Sequence, residues 1–391
     1  MRIIGLISGT SADGIDAAIA DIEGDGYDLT VTVVAGHTMP YPAAVRQQLL
    51  DLCAGASIAL VDLADLDDTI AHCFAQTANT LMNKHGRVEL IASHGQTVFH
   101  RPVAAPTATS PPNLGFSLQL GRGDLIATLT QCATVSNFRQ ADIAAGGEGA
   151  PLVPPVDLAL LSHPQRWRCV QNIGGIGNVA LLPPWDAATH QTPPSILGWD
   201  TGPGNSLIDL AVEIFSGGKQ TYDKDGAWAT QGTPATALVK QWLQHPYFEH
   251  PPPKSTGREL FGTTFLQACL EDARHHGLTS GDILATLTDF TARSIAQSYH
   301  QFLPRLPDEV LLCGGGSYNP YLVKRLRLHL PDVSVQTTAD AGVPVDLKEA
   351  VAFAVLGYWR QHQFPGNLPS VTGASRPVLL GELHPPPSMS A

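Results

Sequence analysis

A chain of 391 residues is longer than the roughly 250 to 300 at which one hydrophobic core stops growing, so two domains are expected, with a cleft between them as the default ligand site. Hydrophobic residues make up 43%, but no apolar run approaches the roughly 18 that span a bilayer, and a net charge of −12 opposes non-specific binding to nucleic acid or anionic lipid. The six cysteines lack C-x-x-C spacing, which argues against a structural zinc site or a disulfide framework, and an N-terminus without a signal cleavage site makes the cytoplasm the expected compartment.

The first chemically informative stretch is Gly5 to Asp16, an apolar strand running into small and hydroxylated residues. Gly9 and Gly14 free the backbone so that successive N–H groups can form an anion-binding concavity, with Thr10 and Ser11 as further donors. Asp13 and Asp16 would repel a bare phosphate but suit a hydrated Mg²⁺ held between carboxylate and phosphate oxygens. A tight hairpin turn is the plain alternative. Strands at 17–22 and 29–36, joined by a Gly-rich turn, place the loop inside an antiparallel hairpin, the arrangement that cups ATP phosphates in the actin, Hsp70 and sugar-kinase superfamily.

Residues 43–84 carry a helical stripe from Leu60 to Leu81 that reads as core. Val88–Ser93 is a strand that delivers His94 and Gln96, candidates for substrate contact because polar groups at strand ends line ligand sites in α/β sheets; an ordinary loop histidine is the competing reading. Residues 102–113 form a Pro-rich surface loop. After a strand at 133–136, Arg139 and Asp142 lie three apart in a glycine-dense segment, either gripping a ligand or forming a local ion pair. The passage into a second domain is placed here.

A strand at 167–173, the turn Gly174-Gly175-Ile176-Gly177-Asn178 and a returning strand at 179–182 repeat the first hairpin in outline. Asp200 then ends a strand at 195–199, just before a glycine turn and the helix 207–215; it suits a general base, with an Asx turn as the alternative. Lys254 and Arg258 are concentrated in one polar loop of an acidic chain, where either could neutralise a phosphate or a substrate carboxylate, or simply be solvated. Helices at 282–303 and 347–359, the latter carrying Glu349, flank a strand at 309–312 whose Gly314-Gly315-Gly316 would let a flat adenine or ribose lie against backbone.

The ordered motifs SGTSADGID, SHGQT, FRQADIAAGGEGAPLVP, NIGGIGN, DTGPGN, DKDGAW, PKSTGRE, CGGG and SVTGA closely resemble the anhydro-N-acetylmuramic acid kinase family, from about residue 5 to residue 382. Ala12, where relatives commonly carry Leu, and the long 102–113 insertion are mild departures. The resemblance implies an α/β, two-domain actin-like (ribonuclease H-like) fold with an interdomain cleft. Its first domain would comprise 1–136 plus about 366–384, its second 137–365, with a flexible tail at 385–391. It also implies MgATP-dependent opening and phosphorylation of a 1,6-anhydro amino sugar, as in cell-wall recycling. Asp200 would be the base. Gly9, Thr10, Ser11, Ala12, Asp13, Gly14, Ile15, Asp16, Gly174, Gly175, Asn178, Gly314, Gly315 and Gly316 would bind ATP, and His94, Gln96, Arg139, Asp142 and Glu349 the sugar. The partners expected are these small molecules, with no nucleic acid, no membrane and a homodimer as the candidate assembly. An ordinary sugar or acetate-type kinase, or an ATP-driven chaperone or filament protein, would share the fold without the hydrolytic step.

Overall fold

The computed structural model describes residues 1–9, 11–101, 103, 114–190 and 192–387. Thr10, the Pro-rich stretch apart from Val103, and the last residues of the expected tail lie outside them. Among the described residues no helix is long and apolar enough to cross a membrane.

The strands are β1 (Arg2–Ser8), β2 (Gly14–Asp25), β3 (Asp28–Pro40), β4 (Leu90–Arg101), β5 (Phe116–Leu120), β6 (Thr134–Ser136), β7 (Arg168–Ile173), β8 (Ile176–Leu182), β9 (Leu197–Pro203), β10 (Glu309–Cys313), β11 (Ser334–Thr337) and β12 (Glu382–His384). The helices are α1 (Ala43–Cys53), α2 (Leu60–His85), α3 (Gly123–Thr130), α4 (Gln140–Ala144), α5 (Pro154–Leu161), α6 (Ser206–Ser216), α7 (Thr236–Trp242), α8 (Thr263–His275), α9 (Ser280–Phe302), α10 (Pro320–His329), α11 (Lys348–Gln361) and α12 (Pro369–Thr372). The helix expected over 43–84 is divided because Gly55 takes a left-handed φ of 93° just beyond the end of α1, a common way to stop a helix.

The described residues fall into two compact units, one of 1–160, 187–190 and 347–387, the other of 161–186 and 192–346. This moves both expected boundaries. Residues 137–160 stay with the first unit because Phe138, Leu152 and Val156 share a core with α11, and because Lys348 and Asp157 form a buried ion pair at 2.8 Å. Helix α11, expected in the second domain, is buried almost all round in the first. Gly5 of β1 lies so close under it that a Cβ would strike the Ala350 carbonyl.

In the first unit β1, β2 and β3 pair antiparallel while β4 runs parallel to β1 and β6 parallel to β4, in the order β3-β2-β1-β4-β6, with β12 on the edge beyond β6 and β5 on β4. One face packs on α11 and the other on α2. In the second unit β7, β8 and β9 pair antiparallel and β10 and β11 continue in parallel, in the order β9-β8-β7-β10-β11. The same five-strand order occurs twice, so the duplication read from two glycine hairpins extends to the whole sheet.

Two strands run further than their apolar residues indicate. Strand β4 continues to Arg101 because it bends at Gly95, φ 78°, and pairs Gln96–Arg101 with β5. Strand β9 continues through Asp200 to Pro203 because its polar half still pairs with β8.

Candidate functional site

In the first unit the β1–β2 connection is a turn closed by the Ala12 N–H donating to the Gly9 carbonyl at 3.1 Å. Ala12 sits there at φ 50° and fully buried, a conformation that costs an L-residue energy and recurs at functional loops. Arg46 of α1 clamps the loop by donating to Asp13 at 2.9 Å. Below it, Gln96 is fully buried, accepts from the Ser8 hydroxyl at 2.5 Å and donates to the Gly9 carbonyl at 3.1 Å. Gln96 therefore shapes the loop, which corrects its reading as a substrate contact.

Gly9, Ser11 and Asp13 are exposed, whereas Gly14 and Ile15 are buried, Ile15 as a core residue. Any part Ile15 takes in a ligand site is through its backbone. Gly14 is a strand residue at which an added Cβ would come within 2.7 Å of the Met39 carbonyl oxygen. Asp16 accepts from the Thr38 hydroxyl at 2.6 Å.

Arg139, His94 and Asp142 are brought together. The Arg139 Nε donates to His94 Nε2 at 3.1 Å, while His94 Nδ1 donates to the Gly95 carbonyl at 2.9 Å. That arrangement needs a neutral imidazole. Burial, with Arg139 adding to it, holds His94 down to about 3. Arg139 also donates to the Gly149 carbonyl at 2.8 Å, leaving Nη2 without a partner among the described residues. Asp142 is fully buried; it accepts from the Gly149 N–H at 2.8 Å, the Asn367 amide at 2.6 Å and the Thr372 hydroxyl at 2.7 Å. It fixes the segment that holds Arg139, which corrects its reading as a direct ligand. Glu349, at the start of α11, is reached by solvent although the chain crowds around it; desolvation raises its carboxyl, and Asp16 adds to the rise against Lys348 and Arg139.

In the second unit three segments converge. The β7–β8 turn offers its Gly174 and Gly175 carbonyls to the N–H groups of Gly204, Asn205 and Ser206 at 2.8–3.0 Å. The Asn205 amide donates to the Ile173 carbonyl at 3.1 Å. Gly316 packs on Ile173, and Gly314, at φ 77°, on Asn172. Gly204 lies so near Gly174 that a Cβ would strike its carbonyl. By contrast a Cβ at Gly9, Gly174, Gly175 or Gly315 would meet nothing closer than 3.6 Å, and none of these four has a left-handed φ. Packing and φ explain the first set of glycines, whereas the second set exposes bare backbone to open space.

Asp200 lies directly across β8–β9 from Asn178, so Asn178, three residues beyond Gly175, is also the strand partner of the candidate base. The loop 245–259 holds Asp200 at three atoms. Tyr247 Oη donates to its carbonyl at 2.6 Å, its N–H donates to the Lys254 carbonyl at 3.1 Å, and Oδ2 accepts from the Thr256 N–H at 2.9 Å. Oδ1 has no hydrogen bond among the described residues. Burial raises the carboxyl, the Thr256 bond opposes this and Glu259 adds to it. Tyr247, 47 positions from Asp200, was missed because no local pattern links the two. Lys254 and Thr256 were visible only as members of a polar loop.

Comparison with known proteins gives a consistent result. A model of the anhydro-N-acetylmuramic acid kinase family matches residues 1–386. A Cyanothece sp. protein of that name is 57% identical over 384 residues, 98% of this chain and 99% of the relative. One from Trichormus variabilis is 56% identical, covering 98% and 97%. Among solved structures, the activator of the 2-hydroxyisocaproyl-CoA dehydratase from Clostridium difficile with bound ADPNP aligns over 93% of this chain and 96% of its own, at 11% identity and a TM-score of 0.45. A ROK family glucokinase from Streptomyces griseus aligns over 92% and 99%, at 12% identity and a TM-score of 0.37.

Proposed function

The chain belongs to the anhydro-N-acetylmuramic acid kinase family, and from that premise we propose that it hydrolytically opens 1,6-anhydro-N-acetylmuramic acid and phosphorylates O6 at the expense of ATP, in the cytoplasm, with Asp200 as general base. The observation that carries the assignment of the base is the three-atom anchoring of Asp200, which leaves Oδ1 free on a carboxyl raised by burial. Asp200 takes a proton from water as that water's oxygen bonds to the anomeric carbon. The bond from that carbon to O6 breaks, and O6 bonds to the γ-phosphorus of ATP as the bond from that phosphorus to the β–γ bridging oxygen breaks and ADP departs, so O6 carries a phosphoryl group in place of a proton. Phosphoryl transfer thus relieves the charge that a carboxylic acid relieves in an ordinary inverting glycosidase.

Each glycine turn, around Gly9 in the first unit and around Gly175 with Gly315 in the second, offers bare backbone suited to nucleotide phosphate. Arg139, oriented by neutral His94 and by the Asp142 scaffold, recognises the sugar together with Glu349. Mg²⁺ requires few protein ligands because it keeps most of its waters. Asp16, half-buried and coupled to Glu349, suits it better than Asp13, which is paired with Arg46. When bound, the ion neutralises charge on the phosphate oxygens.

A single turnover in heavy-oxygen water tests the coupling. The label is expected on the anomeric hydroxyl, with none on phosphorus, read early against a control for exchange through ring opening. Label in phosphate, or phosphorylated sugar with its anhydro bridge intact, would reject the mechanism. For the first loop, Gly9→Val should weaken binding of an ATP analogue by about tenfold or more, worth about 1.4 kcal/mol. The melting temperature should hold, because the added side chain meets open space. Calorimetric titration and thermal unfolding separate the two effects, and unchanged affinity would remove the loop from the nucleotide site.

A further inference from the structure

Lys254 and Arg258 are four residues apart in one loop, and the structure gives them different tasks. The Lys254 ammonium lies 4.6 Å from the ring centre of Tyr247 and 4.5 Å from that of Phe302 and donates to the Tyr247 carbonyl at 3.1 Å. Burial lowers it to about 8. Its charge is spent inside the unit, stapling the loop that holds Asp200. Arg258 is exposed and makes no side-chain hydrogen bond or ion pair among the described residues. Its Nη2 and Nε lie 3.6 and 3.7 Å from the place a Cβ on Gly175 would occupy.

One carboxylate feels the charge of this guanidinium. Asp209, in the first turn of α6, is coupled to Arg258; its carboxyl is pushed up to about 7 by burial, with Arg258 opposing the rise and Asp223 adding to it. Asp223 itself is occupied by the N–H groups of Trp228 and Ala229, each at 2.9 Å.

We propose that Arg258 is a phosphate-binding residue, its guanidinium covering the Gly175 side of the β7–β8 turn and neutralising the polyphosphate of the bound nucleotide. The inference deepens the kinase reading and rests on it. Backbone N–H groups of a glycine turn supply only partial charges, whereas a guanidinium supplies a full charge and a planar fork that matches two phosphate oxygens. Thr256 and Arg258 are two residues apart, so the loop that anchors the base through Thr256 also carries the phosphate cation.

The test is calorimetric titration of the full-length protein with ADP, a non-hydrolysable ATP analogue and adenosine, for the unsubstituted chain, Arg258→Gln and Arg258→Lys. Arg258→Gln is expected to weaken ADP and the ATP analogue by about 10- to 100-fold, the range of a charge-assisted pair, to leave adenosine within about twofold, and to flatten the salt dependence of ADP binding; Arg258→Lys should recover part of the loss. An ADP affinity within about twofold of the unsubstituted chain, or an equal loss for adenosine, overturns the role of Arg258 while leaving the kinase reading intact. Absence of ADP and ATP-analogue binding to the unsubstituted chain overturns both.

Discussion

Asp200→Asn is expected to bind ATP and sugar with little change and to lose about 10²- to 10⁴-fold in turnover, the usual contribution of a positioned general base. The local fold should survive. The Tyr247 hydroxyl and the Lys254 carbonyl hold backbone atoms of residue 200, and the Thr256 N–H can donate to the amide oxygen as it does to Oδ2. What disappears is a basic atom at the Oδ1 position. The same geometry sets the sign of the pH dependence. The base works ionised, so activity falls as pH falls through its pKa, and since burial raises that pKa the acid limb of kcat/KM should lie above the ordinary carboxylate range. Near-normal turnover in the Asn variant, or an acid limb at the pH of a solvated aspartate, would assign Asp200 to turn geometry alone.

Asp142→Ala should act on stability first and activity second. The substitution removes the acceptor for three donors, the Gly149 N–H, the Asn367 amide and the Thr372 hydroxyl. The Gly149 N–H is left unpaired, and the Asn367 amide and Thr372 hydroxyl fall back on the carbonyls of Arg376 and Leu368 at 3.4 and 3.5 Å; at about 1–3 kcal/mol for each unpaired or weakened buried group, a loss of about 3 kcal/mol is expected. At about 2–4 °C per kcal/mol for a domain of roughly 150–250 residues, the melting temperature should drop by about 6 °C or more. Freeing the Gly149 segment also releases the carbonyl that holds Arg139, so KM for the sugar should rise in the protein that remains folded. A raised KM with an unchanged melting temperature would instead make Asp142 a ligand contact.

The glycine-rich turns, the hairpins that carry them and the polar residues at strand ends were legible along the chain because each is a local matter of φ, alternation and strand length. The repeated strand order follows from pairing between segments far apart in sequence. The domain boundaries were misplaced for a related reason. Composition shows where a loop lies but not which core receives the next helix, and α11 joins the first sheet only because Gly5 admits it and Lys348 meets Asp157.

The sequence by itself determined which residue types are present for phosphate, base and sugar chemistry, since motif order and spacing are properties of the chain. Only the tertiary structure decided what each does. Gln96 and Asp142 are polar enough to touch a substrate, yet burial commits them to the Gly9 and Gly149 backbones. Lys254 and Arg258 carry the same formal charge, but two aromatic rings hold one while the other stands over a bare glycine turn. Whether a polar group serves the fold or a ligand depends on which partners surround it, and some of the deciding partners arrive from 87 to 230 positions away, a distance over which no local pattern carries information.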